Sequence, residues 1–308
     1  MIVALAGGVG AARFLEGLIR VIPQHEITVI GNVGDDIDVH GLHISPDLDI
    51  VVYTLAGLVD PAKGWGFGRD TFQCQEMLRH LGYETWFNLG DRDLATHIYR
   101  TEQLRAGKRL SEVTQSLVRH FGLRIKLLPA TDNTLQTYVL TKKGYMHFEE
   151  YMVKRQTVPK VLGVSFRGAA SAKPARNVIE SIEQADGVII SPSNPVVSIG
   201  AILAVPGIRA ALRRTKAWKV GVSPIIGGRT VKGPADKLMR AVGFRATALG
   251  VGEFYADFLD TLIIDRVDRK LAFEIQDLGI RTIVTNTLMK RMSDKVRLAK
   301  IAASETKR

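Results

Sequence analysis

Ile2-Val3-Ala4-Leu5-Ala6-Gly7-Gly8-Val9-Gly10-Ala11-Ala12-Arg13-Phe14-Leu15-Glu16-Gly17-Leu18-Ile19-Arg20-Val21-Ile22 decides the fold class of this chain. Residues 2–6 are apolar without alternation, the pattern of a strand buried on both faces, and residues 11–22 carry apolar side chains at helical spacing. Between them, Gly7, Gly8 and Gly10 let the backbone come close to an anion. The helix that follows turns its unpaired N–H groups and positive dipole end toward the loop. A phosphate is the expected guest, although parallel α/β proteins also make such turns with no ligand.

The loop is neither of the two common nucleotide fingerprints. Counted from Gly8, the third small residue of G-x-G-x-x-G falls on Arg13, and the second predicted strand, residues 27–31, ends in Asn32 instead of a ribose-binding acid. No Gly-Lys-Ser/Thr follows, which excludes a P-loop.

Composition narrows the rest. The 308 residues suffice for one large α/β domain or two closely joined ones, and 46% hydrophobic content is ordinary for a globular chain. No run of about 18 apolar residues suggests a membrane span. The chain starts on strand residues, leaving no room for a signal peptide, and the single cysteine, Cys74, excludes an internal disulfide and a cysteine-based zinc site. A cytoplasmic location is expected. The net charge of +11 suits either nucleic acid or an anionic small substrate. The basic residues are spread over helices without interleaved aromatics, which favours the small substrate.

The stretch 32–49 places five acids (Asp35, Asp36, Asp38, Asp47, Asp49) and two histidines (His40, His43) in eighteen positions. Beside a phosphate loop this is costly unless a cation or donor groups share the space, and hard oxygen ligands suit magnesium. Singly, each acid is readily explained as solvated, with Asp47 capping a helix that starts near Asp49. The histidines read as polar loop lining and not as zinc ligands.

A buried helix is expected over 50–58, then a loop over 60–70 whose aromatics either cover a flat ring or pack on the domain. Thr71 is expected to cap a helix to residue 81. Asn88-Leu89-Gly90-Asp91-Arg92-Asp93 starts another to residue 106, with Arg92 either ion-paired locally or free for substrate. Short strands at 136–141 and 145–148 flank a Lys142-Lys143-Gly144 turn. The α/β rhythm then returns: strand 187–190 ends in Ser191-Pro192-Ser193-Asn194-Pro195, strand 218–222 ends in Ser223-Pro224, and Lys232 precedes a helix and is placed to face a phosphate. Ligands of open parallel sheets bind outside such strand ends.

These elements predict an α/β protein with a three-layer Rossmann-like parallel sheet: residues 1–89 and 171–308 as nucleotide-binding core, and 90–170 as an inserted smaller α+β subdomain or lid. No nucleophile–base pair is evident.

Six runs carry a resemblance: Ala6-Gly7-Gly8-Val9-Gly10, Asn32-Val33-Gly34-Asp35-Asp36, Gly41-Leu42-His43-Ile44-Ser45-Pro46-Asp47-Leu48-Asp49, Gly90-Asp91-Arg92-Asp93-Leu94-Ala95-Thr96-His97, Ser191-Pro192-Ser193-Asn194-Pro195 and Lys232-Gly233-Pro234-Ala235-Asp236-Lys237. In this order they resemble the 2-phospho-L-lactate transferases of coenzyme F-420 biosynthesis. The resemblance implies magnesium-dependent transfer of a phospholactyl group from lactyl-diphosphoguanosine to the deazaflavin Fo, releasing GMP. In some members the donor is the enolpyruvyl compound, and a homodimer is usual.

The resemblance puts Asp49 and Arg92 at Fo. Gly7, Gly8, Gly10, Arg13, Ser191, Ser193, Asn194 and Lys232 then serve the nucleotide diphosphate, and Asp35 and Asp36 the metal. Asp49 and Asp36 become the catalytic acids, one near the attacking hydroxyl. Many members have Gly-Gly-Ala-Lys where this chain has Gly10-Ala11-Ala12-Arg13, exchanging a point charge for a planar fork. The related gluconeogenesis-factor regulators share the glycine loop; the Ser-Pro-Asp-Leu-Asp and Gly-Asp-Arg-Asp runs argue against that alternative.

Overall fold

The structure, a computed structural model, describes residues 1–60 and 64–307. Seven strands form its central sheet: β1 (Ile2–Ala6), β2 (Ile27–Gly31), β3 (Lys126–Pro129), β4 (Gly187–Ile190), β5 (Trp218–Val222), β6 (Thr261–Asp265) and β7 (Arg281–Thr285). Their order across the sheet is β7-β6-β5-β4-β1-β2-β3, and every pairing is parallel. β1, β2 and β4 are buried at every residue, and only Thr28 of β2 is polar, as suits strands covered by helices on both faces. The Rossmann-like reading therefore holds. The order reverses between β1 and β4, and the crevice at their carboxyl ends is where such a sheet binds ligands.

Four helices matter for the site: α1 (Gly8–Leu18), α2 (Pro46–Leu55), α3 (Asp91–Arg105) and α4 (Met292–Glu305). Helix α1 packs against both α2 and α4. A Cβ on Gly17 would lie 2.4 Å from the Lys295 carbonyl oxygen, so a glycine is needed where α1 meets α4. Helix α1 stops at Leu18, short of the expected residue 22, in a turn before Pro23.

Three expectations change. The acid-rich stretch is not all loop: Ile37–Val39 and Leu42–Ile44 pair as an antiparallel ribbon through His40 and Gly41, both at positive φ (52° and 76°), which suits the twist of a two-residue hairpin. Thr71 does not cap the next helix; Phe72 holds that position, and the Thr71 hydroxyl donates to Asp91 Oδ2. Finally, β3 lies within the stretch assigned to the insert yet forms the edge of the main sheet, so residues 90–170 are not one separate body. What does stand apart is a three-stranded antiparallel sheet of Gln136–Thr141, Gly144–His147 and Val161–Arg167.

In the 60–70 loop, Pro61, Ala62 and Lys63 lie outside the described residues, while Phe67 packs on Tyr53 with ring centroids 4.3 Å apart. Among the described residues no single helix is long and apolar enough to cross a membrane.

Candidate functional site

A cleft opens at the crevice between β1 and β4. Gly7, Gly8, Gly10 and Arg13 line it from the first turn, and Ser193 and Asn194 from the end of β4. Ser223 and Pro224 follow β5, Thr287 to Met289 follow β7, and Thr230 to Ala235 close a further side. Asp35 and Asp47 reach it from the acid-rich stretch, and Phe148, Glu149 and Met152 from the small antiparallel sheet. The supposed lid is thus a wall. Two π-helical turns, Glu150–Lys154 and Pro195–Ile199, border the cleft, and such turns gather at functional sites.

The glycine loop is held by the protein itself. The Gly7 N–H donates to Ser193 Oγ at 3.2 Å. Gly8 sits at φ 74°, a left-handed conformation that favours glycine, and a side chain there would meet little. Gly10 is different: its Cβ would come 2.3 Å from the Pro192 carbonyl oxygen, so the missing side chain lets α1 meet the β4 loop. Asn194 accepts the N–H groups of Val196 (3.0 Å) and Val197 (3.4 Å), fixing that loop, while Ser191 is buried behind it with its hydroxyl unpartnered.

Charges in the cleft are grouped by sign. The Lys232 ammonium is pushed below its ordinary range first by partial burial and then by neighbouring Arg13. Asp35 is pushed well above the usual carboxylate range by burial and then by Asp47, Glu149 and Asp36. Burial carries Asp47 to about 6, with the Asn32 amide, 2.9 Å away, pulling it back down and Asp36 adding to the rise. Glu149 rises to about 8 through burial and Asp47. Two cations crowd each other in one group and three acids in the other, a distribution that asks for an anion beside the first and a cation or proton beside the second.

Asp35 and Asp36 face different cavities. Asp35 lines the cleft, whereas Asp36 lines a second cavity with Asp38, His43, Asp132 and Gln136. Asp36 accepts from Ser45 at 2.9 Å and lies 3.2 Å from His43 Nε2, whose other nitrogen is 3.1 Å from Asp38. The Oδ1 atoms of both Asp35 and Asp36 are buried without a hydrogen bond. Among the described residues no three His, Cys, Asp or Glu side chains converge closely enough to hold a metal by themselves.

Asp47 does not cap α2 either; it lies in the first turn, after Ser45 and Pro46, and turns back to Asn32. Asp49, 5% exposed, is ion-paired to Arg100, which is 1% exposed. Arg100 also donates to His97 Nδ1 at 3.1 Å, so the other ring nitrogen carries the proton and faces Asp93 Oδ1, 3.2 Å away. The Tyr53 hydroxyl completes the chain on Asp93 at 2.7 Å. Arg92 is exposed on the first turn of α3, and its N–H is bound to Asp70. Neither Asp49 nor Arg92 lines the cleft, so the structure does not bring them together with the glycine loop.

Two residues escaped the sequence reading. Arg100 has only helical periodicity to mark it. Glu149 has a faint signal, an acid placed directly after the apolar end of a predicted hairpin.

The family model described as 2-phospho-L-lactate transferase CofD matches residues 2–296. The chain is 44% identical to the 2-phospho-L-lactate transferase of Methanosarcina acetivorans over 287 residues, covering 93% of each protein. It is 47% identical to the phosphoenolpyruvate transferase of Nocardia farcinica over 272 residues, 86% of this chain and 82% of that protein. Among solved structures, a UPF0052-family protein of Bacillus halodurans shares the fold at a TM-score of 0.65 and 17% identity, covering 98% of each chain.

Proposed function

We propose, since this chain belongs to the 2-phospho-L-lactate transferase CofD family, that it transfers a phospholactyl or phosphoenolpyruvyl group from a guanosine diphosphate-linked donor to the ribityl hydroxyl of the deazaflavin Fo, releasing GMP, in coenzyme F-420 biosynthesis. The observation that carries this reading is the charge-sorted cleft at the switch point. Phosphoryl transfer asks a protein mainly for positioning and for neutralisation of the non-bridging oxygens. A site with an anion-seeking group, an acid group and no evident nucleophile fits that demand.

The diphosphate is assigned to the turn of Gly8 and Gly10, with Arg13 and Lys232 as countercharges and Ser193 and Asn194 shaping the rim. Magnesium fits the acid group: Asp35 Oδ1 is buried, unpartnered and ringed by carboxylates. One or two carboxylates are as many as this ion usually takes, its shell being completed by water and phosphate oxygens. When bound there it supplies charge neutralisation at the diphosphate. Asp36, held by Ser45 and His43, steadies the loop from behind. Arg92 is assigned to the deazaflavin outside the cleft, and Asp49 to the buried support of α3.

A turnover assay with both donors, Fo and magnesium tests this. GMP and the coupled deazaflavin are expected in equal amounts; nucleotide binding without product from either donor overturns the transferase reading in favour of a regulator. The relatives of both names are about equally similar, so the assay also decides the donor.

A further inference from the structure

We infer that Glu149 is the catalytic residue that binds the attacking hydroxyl of the acceptor and takes its proton. This rests on the transferase reading above and gives a named atom to a step that the sequence left near Asp49. The Asp49 carboxylate is occupied by Arg100 and stands outside the cleft. Of the three acids that line the cleft, Asp47 is held by Asn32, and Asp35 is the fitted cation ligand. Among the described residues none donates a hydrogen bond to the Glu149 carboxyl. It is only 6% exposed, and it lines the cleft. A buried carboxyl with open hydrogen-bonding capacity is costly unless a ligand group meets it.

Its position is fixed. Glu149 follows the strand Gly144–His147, and its N–H donates to His147 Nδ1 at 3.2 Å. The His147 ring stands edge-on to Tyr138, 5.5 Å away, and Arg167 stacks on that tyrosine at 3.7 Å. The small antiparallel sheet therefore holds the carboxyl against the acid group contributed by the core. The titratable neighbours are Asp47 and Asp35 from the core, Asp36 behind them and His147 on its own strand; the cations Arg13 and Lys232 line the same cleft.

In the step, the acceptor O–H bond breaks and its proton passes to a Glu149 carboxylate oxygen while the acceptor oxygen bonds to phosphorus. The bond from that phosphorus to the bridging oxygen breaks, and its electron pair leaves with GMP. Buried and lining the cleft, the Glu149 carboxyl is placed to accept that proton.

The test is the steady-state kinetics of Glu149→Gln in the full chain, with Fo, the guanosine donor preferred by the wild type and magnesium. The expected result is a fall in kcat of about 10²–10⁴-fold, the range of a lost general base, with both KM values nearly unchanged and the basic rise of the kcat–pH profile abolished. Glu149→Asp should recover part of kcat and keep the pH dependence. A kcat within tenfold of wild type, a loss confined to KM, or a larger kcat loss with the pH rise intact overturns the assignment. Calorimetric GDP binding by each variant shows that the fold persists. A wild-type enzyme that makes no product fails the transferase reading instead, so the two failures are distinct.

Discussion

Arg100→Met should be among the most destabilising single changes around the acid-rich stretch 32–49. Arg100 and Asp49 are both almost wholly buried, and Arg100 also donates to His97 Nδ1 and, at 3.4 Å, to the His43 carbonyl. Methionine fills much of the same volume but leaves the Asp49 carboxylate without its partner. Its Oδ2 already lacks a hydrogen bond. Breaking one side of a buried ion pair costs about 3–5 kcal/mol, which lowers Tm by on the order of 10 °C in a chain of this size. Denaturant unfolding of Arg100→Met, Asp49→Asn and the double variant provides the assay. Because the double variant buries neither charge, it should be more stable than the sum of the two losses by about 2 kcal/mol or more. Strict additivity, or a loss below about 1 kcal/mol for Arg100→Met, would refute the buried-pair account. Titrating Asp49→Asn with Fo adds a second arm: normal stability with acceptor affinity down about ten- to hundredfold would make Asp49 an acceptor ligand after all.

Three further outcomes follow from the site. Asp35→Asn should weaken magnesium binding, measured calorimetrically with GDP present, whereas Asp36→Asn should chiefly loosen the His43 contact; equal effects on the metal would contradict their separation into two cavities. Gly10→Ala should lower both Tm and GDP affinity because its Cβ meets the Pro192 carbonyl, while Gly8→Ala, strained only by its positive φ, should cost about 1 kcal/mol; the opposite ranking would show that ligand approach dominates at Gly8. The third concerns pH. The folded values of Glu149 (about 8, against 4.5) and Asp47 (about 6, against 3.8) lie above the unfolded ones, so between those limits the native state binds the extra protons. Metal-free protein should therefore lose stability as pH rises from about 4.5 to 8, and Glu149→Gln should flatten the loss; a Tm that rises with pH over this window would reverse the sign.

The parallel sheet was readable because strands buried on both faces are apolar without alternation, and β1 and β4 announce themselves in that way. The glycine turn was equally plain, since positive φ and close packing leave few other residues for Gly8 and Gly10. Side-chain direction was not readable. Asp35 and Asp36 are adjacent in sequence but face different cavities, because an irregular loop carries no periodicity that would sort its residues by side. In sequence Asp49 reads as a site acid, but Arg100, 51 residues further on, occupies its carboxylate. Glu149 stayed hidden for the converse reason: a hairpin distant in sequence is carried to the cleft by tertiary packing, which local pattern does not encode.

The packing of α1 between α2 and α4 bears on how the chain is made. The helix after the glycine turn is complete at Leu18, yet its contact with Lys295 at Gly17 exists only once α4, ending at Glu305, has been synthesised. At ~5–20 residues per second that is a delay of roughly 15–60 s on the ribosome. Meanwhile β1 can pair with β2 early, but its other edge waits for β4. The nascent chain thus carries β1 with one edge unpaired until β4 has been made, and the packing of the glycine-turn helix is completed only by the last helix of the chain.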